Sequence, residues 1–203
     1  IRRLGVLRAD VDNLGAAFLA GFPAQYATLT RTASLSRQLS LFFKRYINEI
    51  CCGNVGRGAE KFSLFGREKK AERDVHIVYS GGDDIFLLGA WDDIVELAVD
   101  LRRAFQRFTS GKLHFSAGIG FFKDKCPVAA MARQTGALES LAKGLRPAKD
   151  AVALFGTSLS GRSADTVEER AEAYGWDDFI DGVCGVKLAF LRENLSWNEA
   201  QDK

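Results

Sequence analysis

Four aspartates stand out as residues that could do chemistry: Asp10, Asp12, Asp83 and Asp84. The last two follow Ser80-Gly81-Gly82 in the run VHIVYSGGDDIFLLG, residues 75–89. Aspartate is depleted in strands and adjacent like charges repel, so two carboxylates directly after a tight turn need a reason. A divalent cation and a nucleotide phosphate together supply one. Glycines let the backbone approach the phosphate, and carboxylate oxygens are hard ligands suited to Mg²⁺ or Mn²⁺. Two such ions ~3.5–4 Å apart would activate an attacking hydroxyl and stabilise a leaving pyrophosphate in an in-line displacement. Asp10 and Asp12 close an apolar run, and residues two apart on an extended backbone share a face. Adjacent strand residues face opposite ways. Asp83 is therefore expected to share an ion with Asp10, and Asp84 to lie more peripherally, as a second ligand or through water.

The elements that hold these residues follow from pattern. Residues 4–9 (LGVLRA) read as a short buried strand that ends at Asp10. Gly-Gly between two β-type runs is a hairpin signal. Residues 18–32 have no clean period and contain Gly21 and Pro23, which reads as a helical turn and a loop. Residues 34–50 read as a helix capped by Ser34, with Leu35, Leu39, Phe42, Phe43, Tyr46, Ile47 and Ile50 as its apolar stripe. The polar stretch 51–74 reads as a solvated loop with a brief strand at 62–65. Residues 92–108 form an amphipathic helix capped by Asp92 or Asp93. Residues 113–122 are strand-like, with Gly118 and Gly120 where a neighbour approaches closely. Pro127 opens a helix that runs to about Lys143. Residues 151–155 read as the final strand and 158–164 as a linker. From Thr166 onward the pattern is helical, with Trp176, Phe179, Ile180, Val183, Leu188, Leu191 and Leu195 apolar.

This order predicts an α+β fold. Residues 1–157 form a ferredoxin-like βαββαβ unit, with helices on one face of a mixed, mostly antiparallel sheet; residues 158–203 form a small helical C-terminal domain. In that topology the Asp10 strand and the hairpin are central neighbours, so Asp10 lies beside the turn 81–84.

Composition narrows the class. With 203 residues the chain suits one medium domain, or one domain plus a small appendage, and a composition of 47% hydrophobic and 27% charged residues supports a packed core and argues against disorder. A net charge of +2 decides nothing about nucleic acid. No apolar run approaches the ~20 residues of a membrane span, so no membrane partner is expected. Cys51, Cys52, Cys126 and Cys184 form no CxxC pair, which reads as reduced thiols in a cytoplasmic protein. The chain begins at Ile1 inside strand-like sequence, as a piece of a larger protein would.

YSGGDDIFLLG, preceded by LGVLRADVDNLG and followed by LHFSAGIGFF and AVALFG, resembles the second palm domain of the large subunit of type III CRISPR effector complexes, subtype III-A above all. YGWDDFIDGVCGVKLAFLRENL resembles the tail of that family. The resemblance implies a palm of the nucleotidyl cyclase and polymerase type. It also implies a nucleotidyltransferase activity, the conversion of ATP to cyclic oligoadenylates in antiviral defence when guide RNA pairs with target RNA. Implied metal ligands are Asp10, the Val11 carbonyl, Asp83 and Asp84, holding two Mg²⁺ or Mn²⁺ ions. Implied nucleotide contacts are Asp12, Asn13, Gly15, Gly81 and Gly82 at phosphate and Ser80 near adenine. Either Lys143 or Lys149 would be the triphosphate lysine. Implied partners are the other subunits of the complex, guide RNA, target RNA and ATP.

The sequence departs from the whole family protein in two respects. Its only histidines, His76 and His114, stand in strand-like sequence and form no His-Asp pair, so the nuclease domain is expected to lie outside this chain. A first palm is missing as well. In the family the reaction occurs between two palms, so this piece is expected to be inactive alone.

Other readings compete. A diguanylate cyclase uses a similar turn on this fold, but here Ile85 stands where that family has Phe, Asp84 where it has Glu, and the DVDNLG loop lacks its Phe-Lys-x-x-Asn-Asp pattern. A non-catalytic ATP-binding or scaffolding palm is the other alternative, its tail docking further subunits. Structurally, Lys143 and Lys149 also suit helix-end charges, Asp177 and Asp178 suit a surface, and Trp91, Trp176 and Trp197 suit core or interface anchors.

Overall fold

The computed structural model describes residues 3–56, 58–65, 72–155 and 171–194. The 158–164 linker, Leu195 and Trp197 lie outside them. Strand β1 spans Leu4–Val11. The hairpin strands are β2, Val75–Gly81, and β3, Asp84–Ala90. Strand β4 covers Phe115–Phe122, β5 covers Ala151–Phe155 and β6 covers Ala171–Gly175. They form one six-stranded sheet in the order β2-β3-β1-β4-β5-β6. β1 is antiparallel to both β3 and β4, as the ferredoxin-like pattern requires. β5 adds on parallel to β4, and β6 antiparallel to β5.

Alternation along β1 sets the two faces. Leu7, Ala9 and Val11 join the main core, together with residues of α2 (Leu29–Leu41), α3 (Ile47–Cys51) and α4 (Trp91–Phe108). The stripe of α4 is as the pattern predicts, with Ile94, Leu97, Ala98, Leu101 and Phe105 buried. Val6 packs on the other face with Met131 of α5 (Val128–Gly144). Helices therefore cover both faces, which corrects the one-face expectation. The physical reason lies in β4, which has buried residues on both sides. At Gly118 a Cβ would stand 2.4 Å from the Thr135 carbonyl oxygen and 2.6 Å from the Glu139 nitrogen. The close approach anticipated at that glycine is the seat of α5.

Several boundaries differ from the sequence reading. A short helix α1, Leu14–Ala20, and a 3₁₀ turn, Ala24–Tyr26, precede α2. α2 starts at Leu29 and is capped by Thr28, whose Oγ1 accepts from the Arg31 amide; Ser34 lies inside the helix. A π-helical turn, Phe42–Tyr46, joins α2 to α3. Residues 62–65 are not a strand. Their amides donate to carboxylates of α4 instead, Phe62 to Asp100 at 3.0 Å and Leu64 to Glu96 at 2.8 Å. Neither Asp92 nor Asp93 caps α4, which starts after Ala90; Asp93 accepts from the Asp74 amide at 2.9 Å. Pro127 is the residue before α5, not its first.

The segment expected to be helical throughout opens, in its described part, with β6. A π-helical stretch, Asp178–Lys187, and α6, Leu188–Asn194, follow. Trp176 is fully buried in the main core, and its ring stacks edge-on against Phe115 at 5.5 Å. Residues on both sides of the division expected at 157/158 thus share one sheet and one core. The four cysteines are free, and burial pushes the Cys51 and Cys184 thiols up to about 11. Among the described residues no helix is long and apolar enough to cross a membrane.

Candidate nucleotide and metal site

The β2–β3 turn is two residues long, Gly82 and Asp83, between the paired Gly81 and Asp84. Gly82 takes φ 68°, the positive value that such a hairpin needs at its first central position. The β1–β3 register pairs Asp10 with Asp84, so their side chains leave the same sheet face, the one covered by α5. The residue expected to be more peripheral is thus the one directly across from Asp10. Asp83 sits in the turn, and its carbonyl accepts from the Val11 amide at 3.1 Å. This bond closes the end of β1 onto the hairpin.

Two basic groups reach the acidic end. Lys143 of α5 donates from Nζ to Asp10 Oδ2, and to Glu139 Oε1 at 2.7 Å. Glu139 in turn pairs with Arg8 Nε at 2.9 Å. Burial pulls the Lys143 ammonium down, but its bonds to Asp10 and Glu139 outweigh that and hold it above its ordinary value. Asp84 is pushed up, by burial first and then by Glu139, Asp10 and Asp83, with Arg8 opposing. Its Oδ1 is buried and has no hydrogen-bond partner among the described residues.

Sequence reasoning missed Arg8 and Glu139. The signal was present: Arg8 lies two residues before Asp10 on one strand, and Glu139 four before Lys143 on one helix.

The remaining expected residues scatter. Asp12 is buried, and its Oδ2 accepts from the Ser116 hydroxyl and the Asp150 amide, both at 2.9 Å. Asn13 takes a left-handed conformation, φ 54°, as the cap residue of α1, and Gly15 is exposed in that helix. Ser80 faces the opposite side of the sheet from Asp84, because it pairs with the core residue Ile85. Its hydroxyl donates to the Phe43 carbonyl in the π-helical turn. Lys149 lies in the α5–β5 turn, and its positive charge acts on Asp12, opposing the rise that burial imposes on that carboxyl. His76 is an exposed strand residue, and His114 Nδ1 lies 3.6 Å from Asp150 Oδ2.

The donor set fits a divalent cation in kind. Asp10 and Asp84 offer hard oxygens on one face, and one of these, Asp84 Oδ1, is buried without a hydrogen-bond partner among the described residues. Among the described residues no group of three acidic, histidine or cysteine side chains converges into a ready-made cation site. An ion here would complete its shell with phosphate oxygens and water, as Mg²⁺ commonly does.

A sheet of this order, with acidic residues at the joined ends of its central strands, is a palm. The family model for the second palm domain of Cas10/Cmr2 matches residues 3–153, and the chain belongs to that family. Among curated relatives, the chain is similar to the CRISPR system single-strand-specific deoxyribonuclease Cas10/Csm1 (subtype III-A) of Mycobacterium tuberculosis, 44% identical over 98% of this chain and 23% of that protein. The Enterococcus italicus protein of the same name is 42% identical over 100% of this chain and 22% of its own length. The chain thus spans less than a quarter of these relatives. Among solved structures, a Csm1–Csm4 subcomplex of the type III-A CRISPR-Csm interference complex is 36% identical with a TM-score of 0.70, covering 87% of this chain and 23% of that one. A Csm1–Csm4 cassette in complex with AMPPNP has 35% identity and a TM-score of 0.70 over the same shares.

Proposed function

We propose that this palm supplies one half of a nucleotidyl-transfer site that joins ATP into cyclic oligoadenylates, inside a type III-A CRISPR effector complex switched on by target RNA. The observation that carries this reading is the pairing of Asp10 with Asp84 across the joined ends of β1 and β3, with Asp83 in the adjoining turn and Lys143 reaching Asp10 from α5. Structures of similar Csm1–Csm4 cassettes with one ATP and with pppApA support adenine nucleotides as the substrate class. The deoxyribonuclease activity in the relatives' names is assigned to their length beyond this segment.

Asp10, the Val11 carbonyl, Asp83 and Asp84 would hold two Mg²⁺ or Mn²⁺ ions. When bound, these lower the pKa of the attacking ribose hydroxyl and neutralise the leaving pyrophosphate. Gly81 and Gly82 let backbone amides approach phosphate with no side chain in the way. Lys143, which donates to Asp10, would act as a point charge on triphosphate oxygens. Ser80 spends its one proton on the Phe43 carbonyl and so presents only acceptor lone pairs. That suits the exocyclic amine of adenine and not the O6 acceptor of guanine.

The test is the complete complex with Asp83→Ala and Asp84→Ala together. Product should vanish while subunit assembly is kept; persisting product would place the site elsewhere. Wild-type complex should convert ATP and leave GTP, and comparable cyclic product from GTP would remove the role given to Ser80. ATP binding without any product from wild-type complex would instead favour a scaffolding palm.

A further inference from the structure

The turn that carries Lys149 is held in an uncommon shape. Lys149 and Asp150 take consecutive left-handed conformations, φ 57° and 50°, and neither is glycine. Each costs roughly 1–2 kcal/mol, and such residues persist only where their surroundings over-determine them. Here Arg146 donates to the Lys149 carbonyl at 2.8 Å and to the Asp150 carbonyl at 2.7 Å. Arg102 of α4, itself buried, pairs with the Asp150 carboxylate at 2.9 Å. The Trp176 amide donates to the Asp150 carbonyl at 3.2 Å. The Asp150 amide donates to Asp12.

Asp12 is the one of these partners that lies next to the site. It stands two residues after Asp10 and is 5% exposed. A single oxygen, Oδ2, accepts both the Ser116 hydroxyl of β4 and the Asp150 amide. Ser116 is also the β4 residue paired with Asp10 in the sheet. That oxygen therefore ties together the exit of β1, the neighbouring strand and the α5–β5 turn.

We infer that Asp12 is a positioning residue. Through Oδ2 it locks the Lys149–Asp150 turn, and with it the end of α5 that carries Lys143, against the strand end that carries Asp10. This replaces its expected place among the nucleotide ligands and rests on the nucleotidyl-transfer reading. A ligand role would use the other oxygen, Oδ1, which is buried without a partner among the described residues, and would need the negative charge. A positioning role needs only one acceptor oxygen. Asparagine supplies the oxygen without the charge, whereas alanine supplies neither.

The experiment uses the complete effector complex with wild-type, Asp12→Asn, Asp12→Ala and Ser116→Ala subunits. It reads KM and kcat on labelled ATP, together with hydrogen exchange of the amides at 146–152. Asp12→Ala should speed exchange in that segment and raise KM for ATP, each by about tenfold, the value of one net hydrogen bond. Asp12→Asn should restore both to within about threefold of wild type, because its oxygen takes both bonds. Asp12→Asn as inactive as Asp12→Ala, with unchanged exchange at 146–152, would overturn the inference and make Asp12 a ligand. If Asp12→Ala does not assemble, Ser116→Ala serves: faster exchange at 146–152 supports the lock, and unchanged exchange overturns it. Absence of product from wild-type complex would sink the nucleotidyl-transfer reading, while the exchange comparison would still decide the lock.

Discussion

Lys143 and Asp84 carry the electrostatics of the site at the scale of single residues. Lys143 bridges Asp10 and Glu139, so without nucleotide the acidic end is already partly neutralised from within the chain. Lys143→Ala in the complete complex should raise KM for ATP by about tenfold or more, since charge-assisted hydrogen bonds contribute roughly 1.5–3 kcal/mol. A change confined to kcat would contradict a triphosphate-binding role. Asp84 makes a separate, pH-dependent prediction. Its folded-state pKa is raised above the ordinary 3.8, chiefly by burial, so ionising it works against folding. The penalty is absent below the ordinary value and grows as pH rises through the folded one. In divalent-free buffer Asp84→Asn should therefore raise the Tm at about pH 7, and the gain should disappear below about pH 3.8. Equal Tm gains at both pH values would show that charge is not the cause.

The elements divide into those that pattern could reveal and those that it could not. β1, the hairpin, β4, β5 and α4 were legible, because each has an apolar run or stripe set by the core that it faces. The partnership of Asp10 with the Gly81–Asp84 turn followed from topology alone. The start of α2 was not legible, because residues 29–34 are nearly all exposed and show no apolar period. The supposed strand at 62–65 failed because Asp100 and Glu96 satisfy its amides in place of a ladder. β6 is made of residues such as Ala171, Glu172 and Ala173 that favour helices, and the open edge of β5 overrides them. The seat of α5 was half legible: Gly118 announced a close neighbour but not which one. Gly118→Ala should cost about 1–3 kcal/mol in denaturant unfolding, because its Cβ would press on the backbone of α5. An unchanged midpoint would mean that α5 can shift freely, and the precise placement of Lys143 and Glu139 would lose its support.

At the scale of the whole molecule, β6 and Trp176 share the sheet and the main core of the palm. Trp176 is fully buried, its indole Nε1 donates to the Phe115 carbonyl at 2.9 Å, and its amide holds the Asp150 turn. Trp176→Ala should cost about 3–5 kcal/mol in unfolding free energy, the range for large core aromatics. A smaller loss would show that β6 packs independently of the main core. The acidic end lies at the rim of the sheet, with Asp10 and Lys143 only partly buried, so a second surface has room to approach. This chain alone should make no cyclic product from ATP. The most direct measurement is the product formed from labelled ATP by the complete complex, with and without target RNA, comparing wild type with the Asp83→Ala/Asp84→Ala double variant. The account predicts cyclic oligoadenylate from wild type only when target RNA is present, and none from the double variant at equal assembly. Undiminished product from the double variant would contradict it.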